Sequence, residues 1–206
     1  MTPEYDVEPI PGLPGDLPDG EHIVWQGAPD WKRLGRDAFK TRWIAGYFAA
    51  LLLWAALDGG TTGMAMTMVM AALSLVLLYG LAWGTARSTL YTITNRRVVL
   101  RYGIALPKCI NLPMIAIASA GLRRNADGTG DIPLTLSQRH GLGYAVFWPH
   151  VRPWKLRSPQ PMLRSVAEVD TVARLLADTL LAANPGGRKA TVARSEPIAM
   201  GALAAI

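Results

Sequence analysis

The residues best suited to binding chemistry lie in the segment FWPHVRPWKLRSP, between Phe147 and Pro159. Its three prolines exclude a regular helix or a central strand and favour a stiff, extended loop. Large aromatic side chains beside cations suit a protein partner or a layer of lipid headgroups. The alternative is that both tryptophan rings close a sheet core while the cations stay solvated. The candidate partner-binding residues are Trp148, His150, Arg152, Trp154, Lys155 and Arg157.

Catalytic and metal-binding patterns are absent from the sequence. His22, His140 and His150 are far apart and have no cysteine or carboxylate at metal-ligand spacing. The run NADGTGD resembles a calcium loop, but its twelfth position is Leu136, where a bidentate glutamate is needed. No GxSxG elbow or Ser-Lys motif accompanies the serines. We therefore predict no catalytic residues, no metal site and no cofactor.

Two apolar runs predict a helical hairpin across a membrane, over residues 43–84. The run Met64–Trp83 would rise roughly 30 Å as a helix, which matches the hydrocarbon thickness of a bilayer. The run Trp43–Leu57 would rise only about 22 Å, so it spans only if Phe39 extends it and the flanking cations snorkel to the headgroups. Small residues four apart, such as Gly46 and Ala50, allow close helix packing, within the hairpin or with another membrane protein. A homo-oligomer is an alternative that the sequence leaves open.

Basic residues flank both ends of this hairpin, and the turn between the runs has none. The positive-inside rule then places both termini in the cytoplasm, as expected for a multi-pass membrane protein. The first thirty or so residues have neither the basic start nor the apolar centre of a signal peptide. Residues 1–42 read as a cytoplasmic segment that ends in an amphipathic lead-in, near Trp31 and Phe39, along the inner surface. The single cysteine, Cys109, is interpreted as a small buried apolar residue.

Residues 87–184 read as a small sheet module that ends in a helix. Leu90–Thr94 and Arg97–Tyr102 predict a hairpin, NADGTGD predicts a second reversal, and Tyr144–Trp148 predicts a strand. A helical period from Val166 to Leu180 follows, with a capping box formed by Ser165 and Glu168. Residues 185–206 read as a disordered tail. The predicted fold class is an α+β membrane protein, with a transmembrane hairpin before a PH-like antiparallel barrel or sandwich capped by an amphipathic helix.

The net charge of +6 raises nucleic acid as a partner. Because the cations flank the membrane hairpin, the anionic inner leaflet explains them more simply, and we expect no nucleic-acid binding. Arg96, Arg97 and Arg101 are candidates for a face against anionic lipid headgroups, with a solvated edge as the alternative.

Three stretches of this sequence carry a family resemblance: YTITNRRVVLRYG, HIVWQGAPDWKRLGRDAF and FWPHVRPWKLRSPQPMLRSV. The first resembles the opening of bacterial PH domains. All three, with the two apolar runs, resemble the PuhB family of photosynthetic-complex assembly proteins in purple bacteria, over roughly residues 9–183. The resemblance implies a non-enzymatic inner-membrane factor that binds subunits of the reaction centre and its core light-harvesting antenna. The alternative function is a membrane-anchored lipid-sensing or scaffold PH-domain protein with no link to photosynthesis.

Overall fold

The computed structural model describes residues 10–137, 143–184 and 193–194 of the chain. The fold is α+β, with two four-stranded sheets. Its elements in chain order are β1 (Ile23–Gly27), α1 (Trp31–Asp37), α2 (Thr41–Leu57), α3 (Thr61–Arg87), β2 (Leu90–Thr94), β3 (Arg97–Tyr102), β4 (Lys108–Pro113), β5 (Ile117–Arg124), β6 (Gly130–Leu136), α4 (Tyr144–Phe147), β7 (Met162–Val166), α5 (Val169–Ala183) and β8 (Ala193–Arg194).

The first sheet has the order β1-β2-β3-β4, with antiparallel neighbours. The predicted β2–β3 hairpin is present, and the Thr94 hydroxyl oxygen closes its turn by accepting the backbone N–H of Arg97 at 3.0 Å. Strand β1 precedes the helices in sequence, yet Gly27 lies opposite Tyr91 of β2. The helices are therefore an insertion between two paired strands, and both of their ends connect to the same sheet. The sequence-based boundary at residue 87 leaves this strand out.

The second sheet has the order β7-β6-β5-β8. Strands β5 and β6 form a hairpin at the predicted NADGTGD reversal. Gly130 is required there, because a Cβ at this position would lie 2.4 Å from the Arg123 carbonyl oxygen and 2.7 Å from Val169 Cγ1. Strand β7 is antiparallel to β6, and the two-residue β8, from the region predicted as a tail, is parallel to β5.

The two sheets and α5 enclose one hydrophobic core. Five of the six residues predicted to share the apolar helix face lie buried on α5: Val169, Val172, Ala173, Leu176 and Leu180. In the part of the chain that the structure describes, the strands form two open sheets and no closed barrel. The antiparallel PH-like arrangement is confirmed, and the barrel alternative is not found.

Three sequence predictions are wrong. Ser165 lies in β7, where it donates its N–H to Asp131, so α5 begins at Val169 and has no side-chain cap. The predicted strand Tyr144–Trp148 is helix α4, because a short apolar run does not distinguish a strand from a buried helical turn. Cys109 is exposed on β4 rather than buried.

Helix α3 is long and apolar enough to cross a membrane, and only 6% of its apolar window is buried. A core helix of a soluble protein would bury most of that surface. At 27 residues α3 is about 40 Å long. Helix α2 packs against it but has 17 residues, so α3 alone meets the length for a span among the described residues. A hairpin with two full spans stays a prediction.

Helix α1 packs on the last turns of α3 instead of lying separately beside it. Leu34 is fully buried, and Gly35 faces α3 so closely that a Cβ would lie 3.2 Å from the Tyr79 ring and 3.4 Å from Ala82 Cβ. The Asp30 side chain caps α1 by accepting the Arg33 N–H at 2.9 Å. The predicted amphipathic lead-in is therefore a third helix, fixed at the end of the hairpin where α2 begins and α3 ends.

Candidate functional site

The segment between α4 and β7, residues 148–161, is fixed at its base by backbone hydrogen bonds; we call it the aromatic loop. Val151 pairs with Pro161 as an isolated bridge. The Arg152 N–H donates to the Gln160 carbonyl and the Met162 N–H donates to the His150 carbonyl, each at 2.9 Å. The two ends of the loop are therefore paired with each other as a short ladder.

The tip of the aromatic loop projects into the surroundings. Trp154 is 86% exposed, Leu156 is 66% exposed, and Lys155 and Arg157 are exposed beside them. Trp154 also adopts a left-handed backbone conformation, with φ of 64°. A bulky residue in that region costs on the order of 1–3 kcal/mol and is most often found where function requires it. Trp154 is thus outside the core, so the alternative in which both tryptophans close the core does not describe this structure.

His150 belongs to the base of the loop and is fully buried. Its Nδ1 is 2.7 Å from the Tyr91 hydroxyl and its Nε2 is 3.2 Å from the Thr89 hydroxyl. The Tyr102 ring packs against it at 5.0 Å, and Arg164 donates to the Pro149 carbonyl at 3.0 Å. These five residues, Thr89, Tyr91, Tyr102, His150 and Arg164, are called the histidine cluster below. His150 therefore anchors the loop from inside and is not part of its exposed surface.

The hydrogen bonds of the histidine cluster define one protonation state. The Thr89 hydroxyl donates to the Thr85 carbonyl at 2.6 Å, so its oxygen must accept from the Nε2–H of His150. Nδ1 then accepts from Tyr91, whose oxygen accepts the Arg164 N–H at 3.2 Å. Burial, aided by the nearby Arg164 charge, lowers the His150 pKa to about 3. Burial also raises the pKa of the Tyr102 hydroxyl to about 12. The cluster is neutral apart from Arg164.

The histidine cluster joins the aromatic loop to the helical hairpin. Thr89 follows α3 by two residues and bonds back to Thr85 within that helix. On the loop side, Trp148 packs edge to face against Phe39, the middle residue of the three between α1 and α2, with ring centroids 5.4 Å apart. The loop is therefore held beside the end of the hairpin at which α2 begins and α3 ends.

A second exposed apolar loop, residues 103–107 between β3 and β4, lies at the same end. Ile104 is 57% exposed, yet its side chain packs over Gly84 of α3, where a Cβ would lie 3.4 Å from Ile104 Cδ1. Leu106 is 76% exposed. The apolar run IAL between Gly103 and Pro107 could have indicated this loop from the sequence. The sequence analysis predicted only the strand pair that precedes it.

Comparison with known proteins assigns the fold. A family model described as the bacterial PH domain matches residues 41–180, which is more than half of the chain. The chain belongs to the bacterial PH domain family. A relative from Rhodobacter capsulatus, "Uncharacterized 23.7 kDa protein in puhA 5'region", is 39% identical over 185 residues, covering 85% of this chain and 86% of the relative. A crystal structure of a DUF1696 family protein with a pleckstrin-homology domain from Shewanella loihica covers 45% of this chain and 71% of its own, at 15% identity and a TM-score of 0.32.

The three arginines predicted to face lipid headgroups do not share an open face of this PH-domain protein. Arg96 is exposed and donates to the Asp19 carbonyl at 3.0 Å. Arg97 forms an ion pair of 2.8 Å with Glu21, whose side chain is almost fully buried. Arg101 is buried. Only Arg96 is therefore available to an anionic headgroup at this site.

The part of the chain that the structure describes contains no candidate metal-binding site. No group of three or more histidine, cysteine or acidic side chains is placed to hold an ion there. Of the histidines weighed in the sequence, His22 and His150 are apart, and His140 lies outside the described residues. In the NADGTGD turn the Asp127 side chain accepts from Thr129 N–H and hydroxyl, at 3.1 and 2.6 Å. That aspartate closes a hairpin turn.

Proposed function

We propose that this bacterial PH-domain protein is a membrane-anchored assembly factor for the photosynthetic reaction centre and its core light-harvesting complex. It acts without catalysis, by binding partner subunits through the aromatic loop. Helix α3, with α2 beside it, anchors the chain in the bacterial inner membrane, with the sheets and both termini on the cytoplasmic side. The observation that carries the proposal is the 39% identity, over most of both chains, to a protein located in the puhA 5' region. That location points to a role related to photosynthesis.

The geometry supports this function in two ways. The helices are inserted between the paired strands β1 and β2, so the sheet module is attached to its anchor on both sides. The histidine cluster and the Phe39–Trp148 contact fix the aromatic loop at the same end. Confining a binding loop to a thin layer beside the membrane raises its effective concentration toward membrane partners, so modest intrinsic affinity suffices.

The chemistry of the tip suits a protein partner. Exposed tryptophan and arginine side chains are the residues that most often dominate binding energy at protein interfaces. Trp154 and Arg157 supply this pair, and Leu156 adds apolar area between them. Arg152 is half-buried and hydrogen-bonded to Gln160 at 3.1 Å, so it supports the loop more than it extends the contact surface.

The test is the near-infrared absorption of cells that lack the protein, complemented with variants. We expect the deletion to lose the reaction-centre and core-antenna bands selectively, and the wild-type gene to restore them. Trp154→Ala/Arg157→Ala should fail to restore them and should lose co-purification of reaction-centre subunits. The matched control, Ile115→Ala/Arg174→Ala, removes one exposed apolar side chain and one exposed cation outside the aromatic loop, and should restore the bands.

A normal spectrum in the deletion strain would contradict the assembly role and favour the lipid-scaffold alternative. Normal bands in the strain that carries Trp154→Ala/Arg157→Ala would show instead that assembly does not depend on the loop. Immunoblots of the variants in membrane fractions exclude loss of the protein as the cause of either result.

A further inference from the structure

A groove of about 510 Å³ lies between α1 and α3, lined by Trp31, Lys32, Arg36 and Tyr79. The rings of Trp31 and Tyr79 form its apolar walls, perpendicular to each other with centroids 6.4 Å apart. Both rings remain more than a third exposed although they contact each other. Gly35 favours this close packing, because a Cβ there would lie 3.2 Å from the Tyr79 ring, closer than ordinary van der Waals contact.

The cations at the groove are not neutralised by the fold. On the same helix, Arg33 forms ion pairs with Asp37 at 3.0 Å and with Asp127 at 3.2 Å. Lys32 and Arg36 have no carboxylate within ion-pair distance among the described residues. Instead, Lys32 Nζ lies 5.6 Å from the Trp31 ring centroid, and Arg36 Nε donates to the Lys32 carbonyl at 3.3 Å. One side of α1 therefore balances its charge within the protein, and the groove side leaves two positive charges for an outside anion.

The groove also has a defined depth on α3. Trp83 and Arg87 form a cation–π pair at the end of that helix, with 5.4 Å between the guanidinium and the ring centroid. Such a pair suits the membrane interface, where amphipathic rings and basic residues collect. Tyr79 precedes Trp83 by four residues, which places it roughly 6 Å deeper along the helix axis. With Trp83 and Arg87 at the interface, the apolar walls would meet the upper acyl chains, and Lys32 and Arg36 would be within reach of the phosphate groups.

We propose that this groove binds the headgroup of one anionic phospholipid of the surrounding bilayer. The two cations hold the phosphate, and the Trp31 and Tyr79 rings hold the glycerol and the first part of the acyl chains. The proposal rests on the membrane anchoring in the proposed function, but it does not depend on the photosynthetic partners. It places lipid recognition on the inserted helices, away from the β2–β3 arginines that the sequence suggested.

The experiment uses the full chain purified in a mild detergent. Native mass spectrometry measures retention of phosphatidylglycerol and of phosphatidylcholine with the same acyl chains. We expect the wild type to retain one phosphatidylglycerol in preference. Lys32→Gln/Arg36→Gln should weaken that binding by roughly thirty-fold, because each cation near an anionic surface contributes about one factor of five. Trp31→Ala should weaken binding of both lipids.

The matched control is Arg124→Gln/Arg174→Gln, which removes two exposed cations on β5 and α5 and should keep wild-type preference. An equal loss in this control, or wild-type preference in Lys32→Gln/Arg36→Gln, overturns the groove site. Displacement of phosphatidylglycerol by soluble glycerol 3-phosphate would show that the groove binds a free phosphate ester, and it would overturn the assignment to a bilayer lipid. If Lys32→Gln/Arg36→Gln loses co-purification of reaction-centre subunits but keeps wild-type lipid binding, the groove is a protein contact and the proposal is overturned.

Alkaline carbonate extraction separates this proposal from the anchoring on which it rests. Membranes that carry Lys32→Gln/Arg36→Gln should retain the protein as the wild type does, because the apolar helices are unchanged. Release of the wild type itself would refute the membrane anchoring, and with it the position of the groove at the bilayer. Retention of both proteins together with unaltered lipid preference would refute the groove alone.

Discussion

Acidification should destabilise the fold through His150, because its buried imidazole is neutral. Its pKa is lowered from 6.5 to about 3 in the folded chain. Between those values the unfolded chain binds a proton that the folded chain refuses, so stability falls as the pH falls through 6.5 and continues to fall until about pH 3. Each pH unit within this window costs about 1.4 kcal/mol, and the loss between pH 7 and pH 5 is about 2 kcal/mol.

The assay is the thermal unfolding midpoint of the full chain in detergent, followed by tryptophan fluorescence at pH 7 and pH 5. For a chain of this size, about 2 kcal/mol corresponds to a shift of roughly 4–8 °C. Other groups also titrate, so the measured quantity is the difference between the wild type and His150→Gln. The amide is neutral at both pH values, and we expect the variant to lose less stability on acidification by that amount.

The matched control is His22→Gln, which removes an exposed imidazole and should show the same acid-dependent shift as the wild type. His150→Gln should also lower the midpoint at pH 7, because the hydrogen bonds to Tyr91 and Thr89 are altered. Equal acid shifts in the wild type and His150→Gln would refute the neutral, buried imidazole and the proton assignment of the histidine cluster.

Further predictions concern particular backbone positions and the topology. Gly130→Ala should destabilise the protein by about 1–3 kcal/mol, because its Cβ would lie 2.4 Å from the Arg123 carbonyl oxygen, whereas Gly143→Ala meets no neighbour and should change the unfolding midpoint little. Trp154→Gly should be about 1 kcal/mol more stable than Trp154→Ala, since φ of 64° suits glycine; equal stabilities would show that this conformation carries no strain. The exposed Cys109 should react with a membrane-impermeant maleimide in inside-out vesicles and not in intact spheroplasts, and the reverse pattern would invert the proposed orientation.

Much of the sheet module could be predicted because its signals are local. The β2–β3 hairpin, the NADGTGD reversal and the apolar face of α5 each follow from residues close together in the chain. Strand β1 was missed because its partner lies beyond the inserted helices, and no local pattern reports that pairing. The capping box failed for a similar reason: Asp131 and Asp30, both distant in sequence, hold Ser165 in β7.

The candidate site could be predicted in part. Proline spacing correctly indicated an extended loop, and its exposed tryptophan and cations were identified from residue type alone. The role of His150 was not foreseeable, because its partners Thr89 and Tyr91 lie 61 and 59 residues away in the sequence. The groove between α1 and α3 could not be predicted either. Trp31 was assigned to the amphipathic lead-in, whereas its partner Tyr79 lies within an apolar run and reads as a membrane residue.

The central claim is that apolar helices hold the sheet module permanently at a membrane, and alkaline carbonate extraction tests it most directly. Membranes from cells that produce the full chain are washed at high pH without detergent, and the pellet and supernatant are probed with an antibody. The account predicts that the protein stays in the pellet and is released by detergent. Recovery of the protein in the carbonate supernatant would contradict it.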